Sequence, residues 1–76
     1  MKWKRVRGHI AGAYQSVLEP SDRGVAGEDG PFRLEPQEHE RYGQEWNIVV
    51  AGQWIGLRRT LEEAKRDCEE FYASHQ

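Results

Sequence analysis

Few residues in this sequence are spaced so that they predict chemistry, and the best candidate is the segment Glu38-His39-Glu40. A histidine between two carboxylates could ligate a metal ion or exchange a proton. Metal sites need several ligands that converge on one point, and the sequence gives no reason to place His9 or His75 beside His39. We therefore interpret the segment as part of an exposed polar loop, and we predict no metal and no cofactor.

The single cysteine, Cys68, is the second candidate. It lies in the apolar stripe of a predicted helix, with no histidine or acid spaced to activate a thiolate. We predict that it is a buried core residue. One cysteine excludes an internal disulfide and a multi-cysteine zinc site. No Walker loop, dinucleotide-binding fingerprint or nucleophile elbow occurs, so we expect a protein that is not an enzyme.

The elements that would position any site are clearest between Glu45 and His75, where the pattern predicts a β-hairpin followed by a helix. Alternation over residues 46–50 indicates a strand. Either Gly52-Gln53 or Ala51-Gly52 can supply a two-residue turn. Pairing across that turn predicts two faces. The face toward the helix carries Trp46, Ile48, Val50, Ile55 and Leu57, and the outer face carries Asn47, Val49, Trp54, Gly56 and Arg58.

The helix has a clear start signal in Thr60-Leu61-Glu62-Glu63, a capping-box pattern in which Thr60 caps the Glu63 amide. Apolar residues then recur at intervals of three and four and form one stripe. They are Leu61, Ala64, Cys68, Phe71 and Tyr72. We expect this stripe and the inner face of the hairpin to form the core together.

The rest of the chain contains shorter segments with strand character, over residues 13–18 and 31–35, separated by polar loops. Residues 1–9 predict either an edge strand or a flexible basic arm. Seventy-six residues make a single small domain. We predict an α+β fold: a three- or four-stranded antiparallel β-meander with one C-terminal helix packed on one face.

Charge is unevenly distributed, although the net charge is only −2. The first nine residues contain four cations and no acid, whereas residues 19–45 contain eight acids and three arginines. No apolar run is long enough to span a membrane, and no apolar signal-peptide core follows the basic N-terminus. We expect a cytoplasmic protein with no membrane partner.

Trp54 is the residue most indicative of an interaction surface, because one helix can cover only one face of the sheet. The alternative is that the N-terminal segment, with Trp3 or Tyr14, covers the outer face. We predict a protein-binding surface, with acidic loops that either solubilise the chain or mimic nucleic-acid phosphate. Its residues are Trp54, Val49, Asn47 and Arg58 at the centre and Glu28, Asp29, Glu38 and Glu40 at the rim.

Nucleic acid is the alternative partner, because aromatic and cationic residues interleave near the N-terminus and two arginines precede the helix. The residues that would bind it are Lys2, Lys4, Arg5, Arg7, Arg58 and Arg59. The acidic loops around them disfavour this interpretation. A third hypothesis is a structural subunit of a larger assembly.

Most of the chain resembles a diffuse group of small proteins from bacteriophages and related mobile elements. The residues that carry the resemblance are Tyr14-x-Ser16, Phe32-x-Leu34, Trp46-x-Ile48, Gly52-x-Trp54-Ile55-Gly56 and Thr60-Leu61-x-x-Ala64-Lys65-x-x-Cys68-Glu69. These proteins are typically a β-meander closed by a helix. The resemblance implies a phage-like origin, a host protein as partner, and a role in countering or redirecting host machinery, such as inhibition of a nuclease or defence complex.

A shorter resemblance covers Trp54-Ile55-Gly56-x-x-x-Thr60-x-Glu62-Glu63-Ala64, which is similar to the last strand and helix start of AP2-type and integrase arm-type DNA-binding domains. It implies that the sheet face with Asn47, Val49, Trp54 and Arg58 meets a DNA groove. Only Arg58 among these four residues is cationic. Since phosphate neutralisation supplies most non-specific affinity for DNA, the sequence favours a protein partner.

Overall fold

A computed structural model describes residues 1–6 and 12–74, which form one antiparallel sheet of five strands and one helix, an α+β fold. The strands are β1 (Lys2–Val6), β2 (Ala13–Val17), β3 (Asp29–His39), β4 (Gly43–Val50) and β5 (Gln53–Arg58), and the helix is α1 (Leu61–Ser74). Each strand pairs with the next in the chain, so the sheet is a simple meander. Arg7, His9 and His75 lie outside the described residues.

The number of strands is larger than predicted, because residues 2–6 form a strand of the sheet and not a flexible arm. β1 pairs with β2 from Lys2 opposite Val17 to Val6 opposite Ala13. This pairing places Trp3 and Tyr14 on the same side as the helix, where both pack against the core. Neither of them covers the outer face.

Strand β3 is longer than the sequence indicates and lies at the centre of the sheet. The prolines at 31 and 36 predict a short edge strand, yet β3 continues through Pro36 to His39 and pairs with β4 from Phe32 opposite Val50 to His39 opposite Gly43. The amide of Phe32 points toward β2, where it donates to Ser16 Oγ at 3.0 Å. By strand periodicity the nitrogen of Pro36 faces the same side, beyond the last paired residue of β2. The missing donor therefore removes no hydrogen bond from the sheet.

The core lies between α1 and the sheet, as predicted. Its buried residues are Phe32, Leu34, Trp46, Ile48, Ala64 and Cys68. The ring of Phe32 meets Phe71 and Tyr72 edge-on, with centroids 5.9 and 6.2 Å apart. The Glu63 amide donates to Thr60 Oγ1 at 3.1 Å, which confirms the predicted helix cap.

The β4–β5 hairpin turns at Ala51-Gly52, the second of the two predicted positions. Val50 pairs with Gln53, and both turn residues have positive φ, 51° at Ala51 and 85° at Gly52. Positive φ at both central residues is the requirement of a type I′ turn.

A β-bulge then shifts the register of this hairpin. Ile48 pairs with Gly56 and Val49 with Trp54, so Ile55 is an extra residue on β5. Beyond a one-residue shift each side chain points to the opposite face. The predicted faces of three residues are therefore wrong: Leu57 lies on the outer face opposite Asn47, and Gly56 and Arg58 lie on the helix side opposite Ile48 and Trp46. Trp54, Asn47 and Val49 keep their predicted outer positions.

The positive φ of Ala51 leads to a prediction about stability. A non-glycine residue in the left-handed region costs roughly 1–2 kcal/mol, and asparagine adopts that region more readily than alanine. We expect Ala51→Asn to raise the free energy of unfolding by about 1 kcal/mol, measured by urea and thermal denaturation. Ala51→Val, with a β-branched side chain at positive φ, should lower it. Equal stabilities for the three proteins would contradict the type I′ assignment.

Candidate protein-binding face

The outer face is the side of the sheet opposite α1, and no helix or strand in residues 1–6 and 12–74 packs on it. The strand register assigns its residues. They are Lys2, Lys4, Val6, Ala13, Gln15, Val17, Arg33, Glu35, Gln37, Glu45, Asn47, Val49, Trp54 and Leu57. The face mixes charges and apolar groups, and its largest apolar side chain is Trp54.

Trp54 is highly exposed and yet held in a defined orientation. Its side chain is 63% exposed. The indole Nε1–H donates to Asn47 Oδ1 at 2.9 Å, and Asn47 Nδ2–H donates to Gln37 Oε1 at 2.9 Å. These hydrogen bonds connect β5, β4 and β3. They satisfy the polar atom of the indole and leave its apolar surface toward solvent, so little side-chain entropy remains to be lost when a partner binds.

Two apolar neighbours extend the indole surface. Val49 is the direct cross-strand partner of Trp54, and Leu57 lies opposite Asn47 on the same face. Both are half-buried. Leu57 is absent from the predicted site because a regular hairpin would direct it toward the helix. Only the bulge at Ile55 brings it out, and the alternation of residues carries no signal for that bulge.

Arg58, predicted at the centre of this surface, is not part of it. It lies on the helix side, where Nε forms an ion pair with Asp67 of α1 and Nη1 donates to the Leu57 carbonyl at 2.7 Å. The register shift at the bulge is the physical reason. Arg58 therefore ties β5 to the helix.

The predicted acidic rim lies at the two ends of the sheet. Asp29 begins β3, next to Glu28, and Glu38 is close to the end of that strand, next to the turn that contains Glu40. Glu38 is nine positions after Asp29 along the strand, which corresponds to about 30 Å. Asp29 forms an ion pair with Lys4, whose Nζ lies 2.8 Å from Asp29 Oδ1.

Glu38, predicted at the rim, pairs with Gln44, two residues before the buried Trp46, so its strand position is on the helix side and it is not part of the outer face. Of the predicted rim, Glu28 and Glu40 have no ion pair among the described residues, and they lie beyond opposite ends of β3.

His39 serves the β3–β4 turn. Its Nδ1 accepts the amides of Arg41 at 3.1 Å and Tyr42 at 3.3 Å, and its ring stacks on Tyr42 with centroids 4.8 Å apart. Within residues 1–6 and 12–74 no group of three or more histidine, cysteine or acidic side chains could hold a metal ion. The segment Glu38-His39-Glu40 is exposed, as predicted, but only Glu40 lies in the turn. The loop prediction is wrong for Glu38 and His39, which end β3 because they pair with Gln44 and Gly43 of β4.

The cations predicted to bind nucleic acid are dispersed. Lys2 and Lys4 lie on the outer face of β1, whereas Arg5 lies on the helix side opposite Tyr14. Arg59 stacks its guanidinium 4.1 Å from the centre of the Tyr42 ring. β1 and β5 are opposite edges of the sheet, separated by roughly 19 Å. Arg7 is outside the described residues. The remaining cations form no continuous patch.

Buried polar atoms without partners mark a feature that sequence reasoning missed. Glu45 is 5% exposed and its Oε1 accepts no hydrogen bond, although its strand position is on the outer face. Arg33 Nε lies 3.1 Å from Glu35 Oε2 but is not aligned for a hydrogen bond. The outer face therefore contains polar groups that are only partly satisfied within the described chain.

Comparisons with protein-family models, curated proteins and solved structures gave no match. No helix in the described part of the chain is long and apolar enough to cross a membrane.

Cys68 gives a prediction about reactivity. It is 1% exposed, and burial, aided by the carboxylates of Asp67 and Glu69, raises the pKa of its thiol to about 12. Since the thiolate is the reactive form, we expect no measurable reaction with Ellman's reagent at pH 8 in the folded protein. Full reaction should follow in guanidinium chloride. A folded-state rate comparable to that of a free thiol would contradict the buried position.

Proposed function

We propose that this protein is a non-catalytic binding module that docks on another protein through the outer face, with Trp54 as the central contact. The observation that carries the proposal is an indole that is 63% exposed and held by a hydrogen bond to Asn47 of the neighbouring strand. Tryptophan is among the residues that most often dominate binding energy at protein interfaces. Val49 and Leu57 extend the apolar contact, and the polar residues around them form a rim.

The exposed carboxylates at the ends of the sheet indicate what kind of partner would bind. Glu28 at one end of the sheet and Glu40 at the other favour a partner with an apolar pocket between basic groups. A protein that binds nucleic acid has basic groups of this kind. In keeping with the phage-type resemblance, we propose a host protein such as a nuclease or defence complex, which this module would inhibit by occupying its basic surface.

The alternative of a sheet-based DNA-binding domain has less support from the geometry. Arg58, the one cation expected on the DNA-facing surface, is paired with Asp67 on the other side. The remaining cations lie at opposite edges of the sheet, and Lys4 is paired with Asp29. A subunit of a larger assembly is a third proposal, distinguished by the mass of the protein in solution.

Substitution of the central residue tests the docking proposal. We expect Trp54→Ala to abolish capture of a partner from host lysate, because it removes the exposed apolar contact. The melting temperature should change little, since the indole is mostly exposed and contributes roughly 1 kcal/mol or less to folding. Both are measured by affinity capture with mass spectrometry and by thermal denaturation.

Val25→Ala is the matched control, since Val25 is a loop side chain that is 62% exposed. It should capture the partner as the unchanged protein does. If Trp54→Ala retained the partner, or unfolded the protein, Trp54 would not be the docking residue that we describe.

An electrophoretic mobility shift with duplex DNA tests the alternative. We expect no shift at micromolar protein in low salt, because the cations form no continuous patch and acids surround them. A shift that weakens as salt is added would indicate phosphate contacts and would favour the DNA-binding function over docking on a protein.

A further inference from the structure

A groove of about 360 Å³ lies between β5 and α1, on the opposite side of β5 from Trp54. Ile48, Ile55 and Gly56 line it from the sheet, and Phe71 lines it from the helix. Its volume is in the range of sites that hold small ligands or single side chains, roughly 300–1,000 Å³. The bulge creates one of its walls, because the extra residue Ile55 lies there and remains 44% exposed.

Gly56 keeps the groove open, although neither its backbone nor its surroundings require glycine. It pairs with Ile48 and faces the helix side, and it is not among the glycines with positive φ. A Cβ there would meet only Arg58 Nη1, at an ordinary contact distance of 3.7 Å. A glycine inside a strand lowers stability relative to a β-branched residue. Here its effect is to leave space where a side chain would fill the groove.

The net charge at the mouth of the groove is negative. The charged side chains that line the groove are Arg58, Asp67 and Glu70. Arg58 and Asp67 form an ion pair with each other, whereas the exposed carboxylate of Glu70 enters no ion pair among the described residues, so the unpaired charge is negative. The hydroxyl of Ser74 donates to the Glu70 carbonyl at 2.8 Å, so its oxygen can still accept a hydrogen bond. Apolar walls beneath carboxylate and hydroxyl acceptors suit a side chain with an apolar stem and a cationic head.

A second copy of this chain fits the groove poorly. The outer edge of β5 pairs with no described strand. Two copies joined antiparallel along this edge would place both helices on the same side of a continuous sheet. Glu70 of α1 lines the groove beside β5 and has no ion pair among the described residues. The Glu70 carboxylates of the two copies would then lie on the same side of the junction, and like charges repel.

We propose that the groove binds a lysine or arginine side chain from an extended segment of the protein partner. The segment lies along the free edge of β5, which is the edge that lacks the cluster of charges carried by β1, with its Lys2, Lys4 and Arg5. The inference rests on the proposed function and adds to it a second contact, on the other side of the strand that carries Trp54.

Titration of the ¹⁵N-labelled protein with short synthetic peptides tests this site. The first peptide is acetyl-Thr-Val-Lys-Val-Thr-amide, and two matched peptides carry norleucine or glutamate in place of lysine. We expect the lysine peptide to shift the amide resonances of Ile55, Gly56, Phe71 and Ser74 and to bind about tenfold more tightly than either matched peptide. Equal affinities for the three peptides would overturn the proposal.

Two substitutions test whether the peptide binds in the groove. Gly56→Val fills the floor, and its melting temperature should be equal or higher because valine favours strands. Glu70→Lys reverses the charge at the mouth. Each should weaken binding of the lysine peptide about tenfold or more. Glu69→Lys makes the same charge change at an exposed position of α1 that does not line the groove, and should leave binding unchanged. Unchanged binding by folded Gly56→Val would overturn the proposal.

The proposal for the groove and the proposal for the outer face can be tested separately. Trp54→Ala should keep the peptide-induced shifts at Gly56 and Phe71 while losing the partner from lysate. If Gly56→Val captured the partner normally, the groove proposal would be wrong and the docking function would stand. Light scattering tests the other occupant: a mass that grows with concentration in the unchanged protein, and not in Gly56→Val, would assign the groove to a second copy and overturn the proposal.

Discussion

The bulge at Ile55 is the constraint on which both surfaces of this protein depend. One extra residue on β5 reverses the direction of every side chain that follows it in the strand. Arg58 thereby reaches Asp67 and joins the last strand to the helix, while Leu57 moves to the open side beside Asn47. Without the bulge, the arginine would point to solvent on the outer face and the leucine would compete for space under the helix.

The bulge also gives β5 two different sides. On the outer side, Trp54 is oriented through Asn47 by hydrogen bonds that continue to β3. On the helix side, Ile55 and Gly56 border a groove with an acidic mouth. Because β5 is the edge strand, both sides are within reach of one segment of a partner. The two proposals therefore describe a single docking region around the edge of the sheet.

The side chains that could take part in a reaction or bind a ligand instead stabilise the fold. His39 accepts two backbone amides and holds the β3–β4 turn. Cys68 is enclosed between α1 and the sheet, where the loss of solvation raises the pKa of its thiol. Arg59 covers the ring of Tyr42 at the same end of the sheet. Each of these interactions uses the group that a reaction or a phosphate contact would need.

The sequence by itself determined the features that depend on near neighbours in the chain. These are the capped helix, its apolar stripe and the inner face of β4, because capping and periodicity act over a few residues. The sequence left the hairpin turn open between residues 51–52 and 52–53. Only the tertiary structure decided the fifth strand, the passage of β3 through Pro36, and the directions of Leu57 and Arg58. The reason is that pairing between strands sets each of them, and capping and periodicity within one segment do not determine that pairing. Residues 2–6 form a strand because they pair with β2, and the nitrogen of Pro36 lies beyond the last paired residue of β2. The bulge is fixed where β5 meets β4.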